Sequence, residues 1–303
     1  MESPEIPPSL PTLAPTGGWL RALAVSADER WLAAAGEDRC VYLWSTDSWE
    51  LFKLGNHDSW VLSLAFLPDN RHLLSCSFDH KLAVWDVAAR EQVLQRRFSA
   101  PLTALKVADA QTVWVGDESG KLYRLLFPSL QEVHSLQLCP SAIADLDVSP
   151  DGLILACASG EDKITLWDLQ ENRLWEKLKG HQGAVRSLCF ERIASSSALA
   201  DTPCSPRTLF SGGADRAVYR WMWKDGQRAE IGHHKGTVWQ VRHAPGRGVL
   251  TAGGDKSVCL WQIDGSRQRV LGQHGGEVRA LAFSASWVAS AGQDCQVRLW
   301  PWP

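Results

Sequence analysis

The segment Phe210–Trp221 has the sequence FSGGADRAVYRW. Its one carboxylate, Asp215, follows two glycines and precedes an alternating apolar run that ends on tryptophan. A closely similar segment, TAGGDKSVCLW, occupies Thr251–Trp261. In both segments an acid lies six residues before the tryptophan, and a hydroxyl-bearing residue lies ten residues before it. An acid at such a turn could be a catalytic group, a metal ligand or a structural residue, and its recurrence along the chain helps to decide among the three.

The tryptophan that ends this segment recurs with a regular period. It stands at Trp44, Trp85, Trp167, Trp221, Trp261 and Trp300, and a weaker unit, VGDESGKLYRL, places Leu125 at the corresponding position between Trp85 and Trp167. The successive intervals are 41, 40, 42, 54, 40 and 39 residues. A fixed period of this length is typical of a repeat architecture, and the units number seven. The 16 tryptophans, against 3 tyrosines, fit a repeated use of the indole ring.

Each unit also carries polar residues at fixed offsets. The acid six residues before the tryptophan is present in six units, as Asp38, Asp79, Glu161, Asp215, Asp255 and Asp294, whereas the third unit has Ser119 there. A hydroxyl ten residues before the tryptophan is present in four units, as Ser75, Ser211, Thr251 and Ser290. The same four units carry a histidine four residues before a valine, as His57, His181, His234 and His274. Units one, three and four lack both, so we expect packing more than polar bonding to hold them.

Short alternating runs such as LYRL and VCLW, separated by turn sequences such as SPDG and GGD, predict β-strands. Evenly spaced short strands with a periodic glycine and aromatic motif favour four-stranded sheets arranged around a channel. We therefore predict one domain over residues 1–303. Because the chain ends at LWPWP, after the third strand of the last unit, residues 1–15, with the stretch Ser9–Pro15, should supply the strand that completes the last sheet. Residues 191–207 should be a loop insertion in the fifth unit.

Two pairs of segments, GHQGAVRSLCF with SGGADRAVYRW and GHHKGTVWQV with TAGGDKSVCLW, resemble the WD-repeat family of β-propellers. The dipeptide WD itself is present only at Trp85-Asp86 and Trp167-Asp168. The resemblance covers essentially the whole chain and implies an all-β fold, a seven-bladed β-propeller of four-stranded antiparallel blades. It further implies a hydrogen-bonded chain from carboxylate through imidazole and hydroxyl to indole in four units. These sets are His57, Ser75, Asp79 and Trp85; His181, Ser211, Asp215 and Trp221; His234, Thr251, Asp255 and Trp261; and His274, Ser290, Asp294 and Trp300.

The alternative interpretation of Ser211, His181 and Asp215 is a hydrolase triad. It is disfavoured because the set recurs four times, because an indole would occupy the serine, and because no G-x-S-x-G segment is present. The remaining histidines lack ligand-spaced partners, and His134 and His243 are interpreted as loop or surface residues. We therefore expect no catalytic, metal or cofactor site and no enzymatic activity, and we interpret Asp215 as structural.

In the WD-repeat family, the face that bears the loops into the innermost strands usually docks partners near the channel mouth. Tryptophan, phenylalanine and arginine on that face are typical of protein-binding hot spots, so we predict that it docks proteins or peptides. The candidate residues are Trp19, Arg21, Glu37, Trp60, Phe78, Arg186, Trp239, Glu277 and Arg279, with Ala214, Gly254 and Gln293 at further equivalent positions. Alternatively, the tryptophans pack between blades and the arginines are simply solvated. We expect Arg21, Arg186, Arg279 and Glu37 to be exposed in either case.

The bulk composition narrows the classes of partner. A net charge of −3 disfavours nucleic acid as the partner, although a patch of arginines keeps nucleic-acid binding as an alternative function. A propeller enzyme with a site at the channel mouth is a second alternative. No run of about 18 apolar residues is present, so we expect no membrane insertion. Eight cysteines without a C-x-x-C pair predict a reducing, cytoplasmic location, with the nucleus as an alternative. We expect a monomeric propeller that acts as a scaffold within a larger complex.

Overall fold

The computed structural model describes residues 10–15, 17–192 and 208–303, and within them 28 strands form seven antiparallel four-stranded sheets. Each sheet is one blade, numbered here in chain order. The innermost strands are β2 (Leu20–Val25), β6 (Val61–Phe66), β10 (Leu102–Val107), β14 (Ile143–Val148), β18 (Val185–Phe190), β22 (Val238–Ala244) and β26 (Val278–Phe283). The second strands are β3 (Trp31–Gly36), β7 (His72–Ser77), β11 (Thr112–Asp117), β15 (Ile154–Ser159), β19 (Thr208–Gly213), β23 (Gly248–Gly253) and β27 (Trp287–Gly292).

The third and outer strands complete each blade. The third strands are β4 (Cys40–Ser45), β8 (Lys81–Asp86), β12 (Lys121–Leu126), β16 (Lys163–Asp168), β20 (Ala217–Met222), β24 (Ser257–Trp261) and β28 (Val297–Pro301). The outer strands of the first six blades are β5 (Leu51–Asn56), β9 (Glu91–Arg97), β13 (Gln131–Gln137), β17 (Arg173–Lys179), β21 (Gln227–His233) and β25 (Gln268–Gln273). Five of the seven second strands, such as ILACAS in β15, are buried along their whole length, and β3 and β7 are buried except at their first residue, because neighbouring blades cover both faces.

The seven blades close into a ring. Each innermost strand packs against the innermost strands of the two adjacent blades, and β26 packs against β2. The outer strand of the seventh blade is β1 (Thr12–Leu13), in which Thr12 pairs with Arg298 and Leu13 with Val297 of β28. The prediction of a seven-bladed β-propeller completed by an N-terminal strand is therefore confirmed. Of the predicted insertion, residues 193–207 lie outside the described residues, as do residues 1–9 of the N-terminal stretch.

The hydrophobic core is divided into seven clusters, and each lies between two neighbouring blades. The repeated tryptophan packs toward the preceding blade: Trp85, for example, is buried with Leu54 and Val61 between blades one and two. The outer strand beneath this indole needs a glycine, because a Cβ at Gly55 would lie 2.4 Å from the Trp85 ring. The repeat period thus fixes the contacts between blades as well as the strands within them.

His243 departs from its sequence interpretation. It lies in β22, is buried, and stacks on Phe210 with the ring centroids 5.4 Å apart. Its Nδ1 accepts a hydrogen bond of 3.0 Å from the backbone N–H of Arg192, the last described residue before residues 193–207. His134 lies in β13 and is partly buried. The prediction that His243 is a loop or surface residue is therefore wrong, because it is buried in an innermost strand, whereas His134 lies partly exposed on an outer strand.

Candidate functional site

The polar sets of blades two, five, six and seven are each brought together as one continuous chain of hydrogen bonds. In blade five, His181 Nδ1 lies 2.9 Å from the Asp215 carboxylate, His181 Nε2 lies 2.7 Å from Ser211 Oγ, and Trp221 Nε1 donates to Ser211 Oγ at 2.7 Å. Blade two has the same contacts at 2.9, 2.7 and 2.8 Å, and blades six and seven have them at 3.0, 2.7 and 2.7 Å.

The donor and acceptor capacities of these groups fix the direction of the chain. An indole N–H only donates, so the hydroxyl oxygen accepts from it and donates its own proton to the imidazole Nε2. The imidazole then carries its proton on Nδ1 and donates to the carboxylate. A backbone N–H, that of Gln182 in blade five, donates a further bond of 2.9 Å to Asp215. Every polar group of the chain is therefore satisfied, which is the condition for burying it.

The same order of serine, histidine and acid occurs in hydrolases, but the hydroxyl here is inaccessible. The four hydroxyl residues, Ser75, Ser211, Thr251 and Ser290, have an exposed fraction of 0%. The indole N–H already occupies each hydroxyl oxygen, so no substrate carbonyl can approach it. The geometry supports a structural role for Asp215 and its three counterparts.

The charge states of these groups follow from burial and from their partners. Burial alone would raise the pKa of Asp79, but the hydrogen bonds from His57 and from the backbone of Asp58 lower it to about 2. Asp255 behaves in the same way, with a pKa of about 2, through bonds from Ser257 and Lys235 N. Burial lowers the pKa of both His181 and His274, although their carboxylates pull it upward. Neutral imidazole beside ionised carboxylate is the state that this arrangement favours.

Blades one and three, which we expected to be held by packing more than by polar bonding, contain a different polar pair at this place. In blade three Asp117, two residues before the expected position, is fully buried and accepts a bond of 3.0 Å from the Tyr123 hydroxyl. In blade one Asp38 accepts a bond of 2.9 Å from the Tyr42 hydroxyl. Both tyrosines lie two residues before the tryptophan position of their unit. A phenol thus replaces the imidazole as the donor to the acid.

The channel mouth is lined by one residue from each innermost strand. In every one of these strands the pairing register shifts at the second residue, so that this residue is a β-bulge. A bulge re-aims a side chain out of the regular alternation. We call these seven residues the mouth ring: Arg21, Leu62, Thr103, Ala144, Arg186, Trp239 and Arg279. Together with Ala142, Ile143 and Gly160 they line a cavity of about 250 Å³.

Arginine and tryptophan stack on one another within the mouth ring. The guanidinium carbon of Arg279 lies 3.5 Å from the ring centroid of Trp239, and that of Arg186 lies 5.3 Å from it. The indole is therefore a shared neighbour of two cations, a favourable cation–π arrangement. Three donors here, Arg186 Nε, Arg279 Nε and Trp239 Nε1, are buried and have no hydrogen-bond acceptor among the residues that the structure describes. Buried donors are normally hydrogen-bonded, so these three mark the mouth ring as a candidate binding surface.

The arginines are less exposed than predicted. The side chain of Arg279 is 15% exposed and that of Arg21 is 24% exposed, and the Glu37 side chain is also largely covered. Burial lowers the pKa of Arg279, and nearby Arg21 adds to this effect. The expectation that these side chains are exposed in any case is wrong, because the bulges turn them across the mouth onto tryptophan rings and glutamates.

The other predicted residues form the rim of the same face. Trp19 and Trp60 are 41% and 44% exposed, and Trp60 packs against Phe78 with ring centroids 6.2 Å apart. Backbone bonds connect the two edges of this face in five blades: the residue directly before the acid position donates its N–H to the carbonyl of the residue that precedes an innermost strand. These pairs are Glu37 with Trp19, Phe78 with Trp60, Ala214 with Ala184, Gly254 with Thr237, and Gln293 with Glu277. Thus the sequence-predicted candidates do lie on one face.

Two of the three mouth arginines have a carboxylate partner. Arg21 Nε donates to Glu37 at 2.9 Å, and Arg279 Nη2 lies 2.8 Å from Glu277. Arg186 forms no ion pair with any residue in the ranges that the structure describes. The mouth therefore carries one uncompensated guanidinium beside an exposed aromatic rim.

Acids deeper in the channel were not identified from the sequence. Asp145 accepts a bond of 2.6 Å from Ser187 Oγ of the next blade, and Asp147 accepts one of 2.7 Å from the backbone of Phe190. Burial would raise the pKa of Asp147, but Lys106 and Arg192 lower it. Their alternation, DLDV in β14, could have suggested channel-facing acids. Both are engaged in bonds between blades, and no group of three or more potential metal ligands occurs in the described part of the chain.

Comparison with known proteins agrees with this architecture. The family described as "WD domain, G-beta repeat" matches residues 9–45, 49–86, 130–168, 227–262 and 265–301, which make up more than half of the chain. Apoptotic protease-activating factor 1 of Rattus norvegicus is 24% identical over 86% of this chain and 20% of its own length. The transcriptional corepressor LEUNIG_HOMOLOG of Arabidopsis thaliana is 24% identical over 91% of this chain and 34% of its own length.

A further relative, transducin-like enhancer protein 2 of Mus musculus, is 23% identical over 82% of this chain and 26% of its own length. The chain thus spans about a fifth to a third of the length of these curated relatives. Within the residues described, no helix is long and apolar enough to cross a membrane. The repeated sequence units, the seven four-stranded blades and the family match agree, and the chain belongs to the WD-repeat family.

Proposed function

We propose that this chain is a non-enzymatic protein-interaction scaffold and that its mouth ring docks a partner segment through an acidic side chain. Membership of the WD-repeat family supports the scaffold class, as do relatives whose names describe a corepressor and an enhancer protein. A peptide or partner protein is the ligand, held at the channel mouth. The chain itself acts as a monomeric propeller that becomes one part of a larger complex.

One observation carries the choice of the mouth ring: Arg186, Arg279 and Trp239 line one cavity, and each has a buried donor atom without an acceptor among the described residues. A carboxylate of the partner would satisfy them and would neutralise Arg186, the arginine without an ion pair. Hydrogen bonds between guanidinium and carboxylate are among the strongest that proteins form. The exposed ring of Trp60, stacked on Phe78, offers an adjacent apolar surface for a neighbouring side chain of the same segment.

The burial of the four hydroxyls supports the non-enzymatic part of this proposal. A general base or nucleophile must reach a reacting atom, whereas the four hydroxyls are fully buried under indoles. The channel acids Asp145 and Asp147 are bonded to the next blade. Seven free cysteines in the described residues support an intracellular, reducing location, which we propose to be the cytoplasm.

The test compares two double charge reversals that change the net charge equally. Arg186→Glu with Arg279→Glu alters the mouth ring, whereas Arg267→Glu with Arg269→Glu alters exposed arginines in and beside β25. Partners recovered from the native cell by affinity purification are identified by mass spectrometry, and the dissociation constant of each is then measured with purified protein. We expect the mouth variant to bind at least about tenfold more weakly and the control to bind as the unchanged protein does.

Equal binding by both variants would refute the mouth ring as the docking site. Replacing Asp and Glu by Asn and Gln in the partner segment tests the acidic contact separately. Thermal unfolding of both variants shows whether a loss of binding reflects a loss of fold. A mobility shift with nucleic acid at low salt that disappears in the mouth variant would instead favour the nucleic-acid alternative.

A further inference from the structure

Blade four contains two cysteines at the positions that histidine and hydroxyl occupy in the complete blades. Cys139 lies four residues before Ile143, the first residue of β14, as His57 lies four residues before Val61. Cys157 lies ten residues before Trp167, as Ser75 lies ten residues before Trp85. The sulfur atoms of Cys139 and Cys157 are 3.7 Å apart, in contact. The fold therefore brings two thiols together where the other blades join an imidazole to a hydroxyl.

From this geometry we propose that Cys139 and Cys157 are a modification site, which a peroxide converts to an intramolecular disulfide within blade four. Cys157 is fixed in the middle of β15, where it pairs with Leu146 and Thr165. Cys139 lies outside the strands, between β13 and β14, and its backbone N–H donates to Gly120 O at 3.1 Å. The S–S bond of a disulfide is about 2.05 Å long. To form it, the two sulfur atoms must move toward each other by a distance shorter than that bond.

The two thiols differ in the way that such a reaction requires. The hydrogen bond from Cys157 lowers the pKa of Cys139 to about 7 against the opposing effect of burial, with a further contribution from Thr165. The same contact and burial raise the pKa of Cys157 well above its usual range. Cys139 is therefore the nucleophile, because the thiolate is the reactive form. Elsewhere in the chain burial raises the pKa of Cys76 and Cys189 to about 12, so these thiols are unreactive.

The reaction consumes one peroxide molecule. The Cys139 thiolate attacks one peroxide oxygen, which breaks the O–O bond and, with a proton from solvent, gives sulfenic acid and one water. The Cys157 sulfur then attacks the Cys139 sulfur, forms the S–S bond and displaces the hydroxyl, which leaves as a second water with the Cys157 proton. Two thiols are oxidised by two electrons, and the peroxide is reduced to two waters.

The disulfide would change one wall of the channel mouth. The segment after Cys139 continues into Ala142 and Ile143, which line the mouth cavity. In the reduced blade the Trp167 indole donates to Asn172 at 3.3 Å and has no bond to Cys157, so the chain of hydrogen bonds is absent. The disulfide would supply the missing connection between this segment and the second strand of the blade.

The experiment treats the full chain with hydrogen peroxide, removes the oxidant, unfolds the protein, alkylates the remaining thiols and digests without reductant. Asp-N protease, which cleaves before Asp145, separates the two cysteines. We expect a cross-linked Cys139–Cys157 peptide, whereas Cys76 and Cys189 are recovered alkylated. We also expect a rise of several degrees in the thermal midpoint, which a dithiol reductant reverses.

Two variants keep the test decisive. In Cys157→Ser, which restores the residue type of blades two and five, sulfenic acid on Cys139 should be trapped by dimedone and the midpoint should not rise. In Cys139→His with Cys157→Ser, the histidine and the serine of blade two are installed beside Glu161, and peroxide should leave the midpoint unchanged. Recovery of Cys139 and Cys157 as alkylated thiols, or of Cys139 as a sulfinic acid without the cross-link, would overturn the proposal.

Discussion

Blades two, five, six and seven differ from blades one, three and four in how the acid-bearing turn is tied to the core. In the first group, an imidazole and a hydroxyl link the acid to the buried indole over three hydrogen bonds. In blades one and three a single phenol reaches the acid directly, and in blade four two thiols occupy the linking positions. All seven blades nevertheless have the same four-stranded topology.

The difference separates what the fold requires from what stabilises it. Strand alternation and packing between blades are common to all seven units, so they specify the topology. The four-part chains are confined to four units and serve to hold a turn, and with it the entry to an innermost strand, against the core. A buried chain of hydrogen bonds stabilises the fold most when each of its polar groups has a partner. The two groups of blades should therefore lose different amounts of stability under the same perturbation.

Lowering the pH should reduce the free energy of unfolding more than any single substitution does, because it acts on all four blades with a complete polar chain at once. Folding lowers the pKa of His181 and His274 from 6.5, so their contribution to the free energy of unfolding declines as the pH falls below about 6.5. Asp79 and Asp255, with pKa values of about 2 against an ordinary 3.8, lose their contribution as the pH falls from about 4 toward 2. Denaturant unfolding at a series of pH values should show two successive declines.

Hydrogen exchange of the backbone amides shows which blades lose stability as the pH falls. After correction for the intrinsic rate, protection at pH 5 should fall first in blades five and seven, which contain His181 and His274, and should persist in blade three, where Tyr123 does not titrate in this range. A free energy of unfolding that is constant between pH 7.5 and 5 would contradict the assignment of neutral imidazoles.

The repeated tryptophan should matter more in a complete blade than in blade four. Trp85→Ala removes an indole that is 2% exposed and leaves the Ser75 hydroxyl oxygen without its donor, so we expect a loss of about 4 kcal/mol. Trp167→Ala removes a partly exposed indole bonded only to Asn172, so we expect a loss of about 1–2 kcal/mol. Denaturant unfolding measures both, and equal losses would show that the polar chain adds nothing to packing.

Most of the fold could be predicted from the sequence, because the determinants of a repeat are local and recur. The spacing of acids, hydroxyls and tryptophans identified the four polar sets that the structure joins, and the unpaired last unit located β1. Asp117 was missed because it lies two residues before the expected position, and only the fold shows that Tyr123 reaches it. Cys139 and Cys157 stand at the histidine and hydroxyl offsets of blade four, but only the fold shows that their sulfur atoms are in contact.

The mouth ring shows the limit of such reasoning for the candidate site. The sequence identified Arg21, Arg186 and Arg279 as members of one face, but it gave no sign of the bulge that turns each of them inward. A bulge arises from the hydrogen-bond register of two strands, which single residues do not encode strongly. The partial burial of the three arginines follows from that register, and so does the stacking of Arg186 and Arg279 on Trp239. The register also leaves the buried donor atoms of these two arginines without an acceptor in the described residues.

The smallest effect concerns the phenol that replaces imidazole in blade three. Tyr123→Phe removes the hydroxyl that donates to the buried Asp117, and we expect a loss of about 1–2 kcal/mol because the carboxylate keeps its bonds from Ser119 and Lys121 N. The matched control is Tyr219→Phe in blade five, at the same position relative to its tryptophan, where the ring packs edge-on against His181 and that histidine already serves the acid. The control should change stability by less than about 0.5 kcal/mol. Equal changes in the two variants, measured by denaturant unfolding at pH 7.5, would mean that the phenol acts only by packing and that blade three has no substitute for the imidazole.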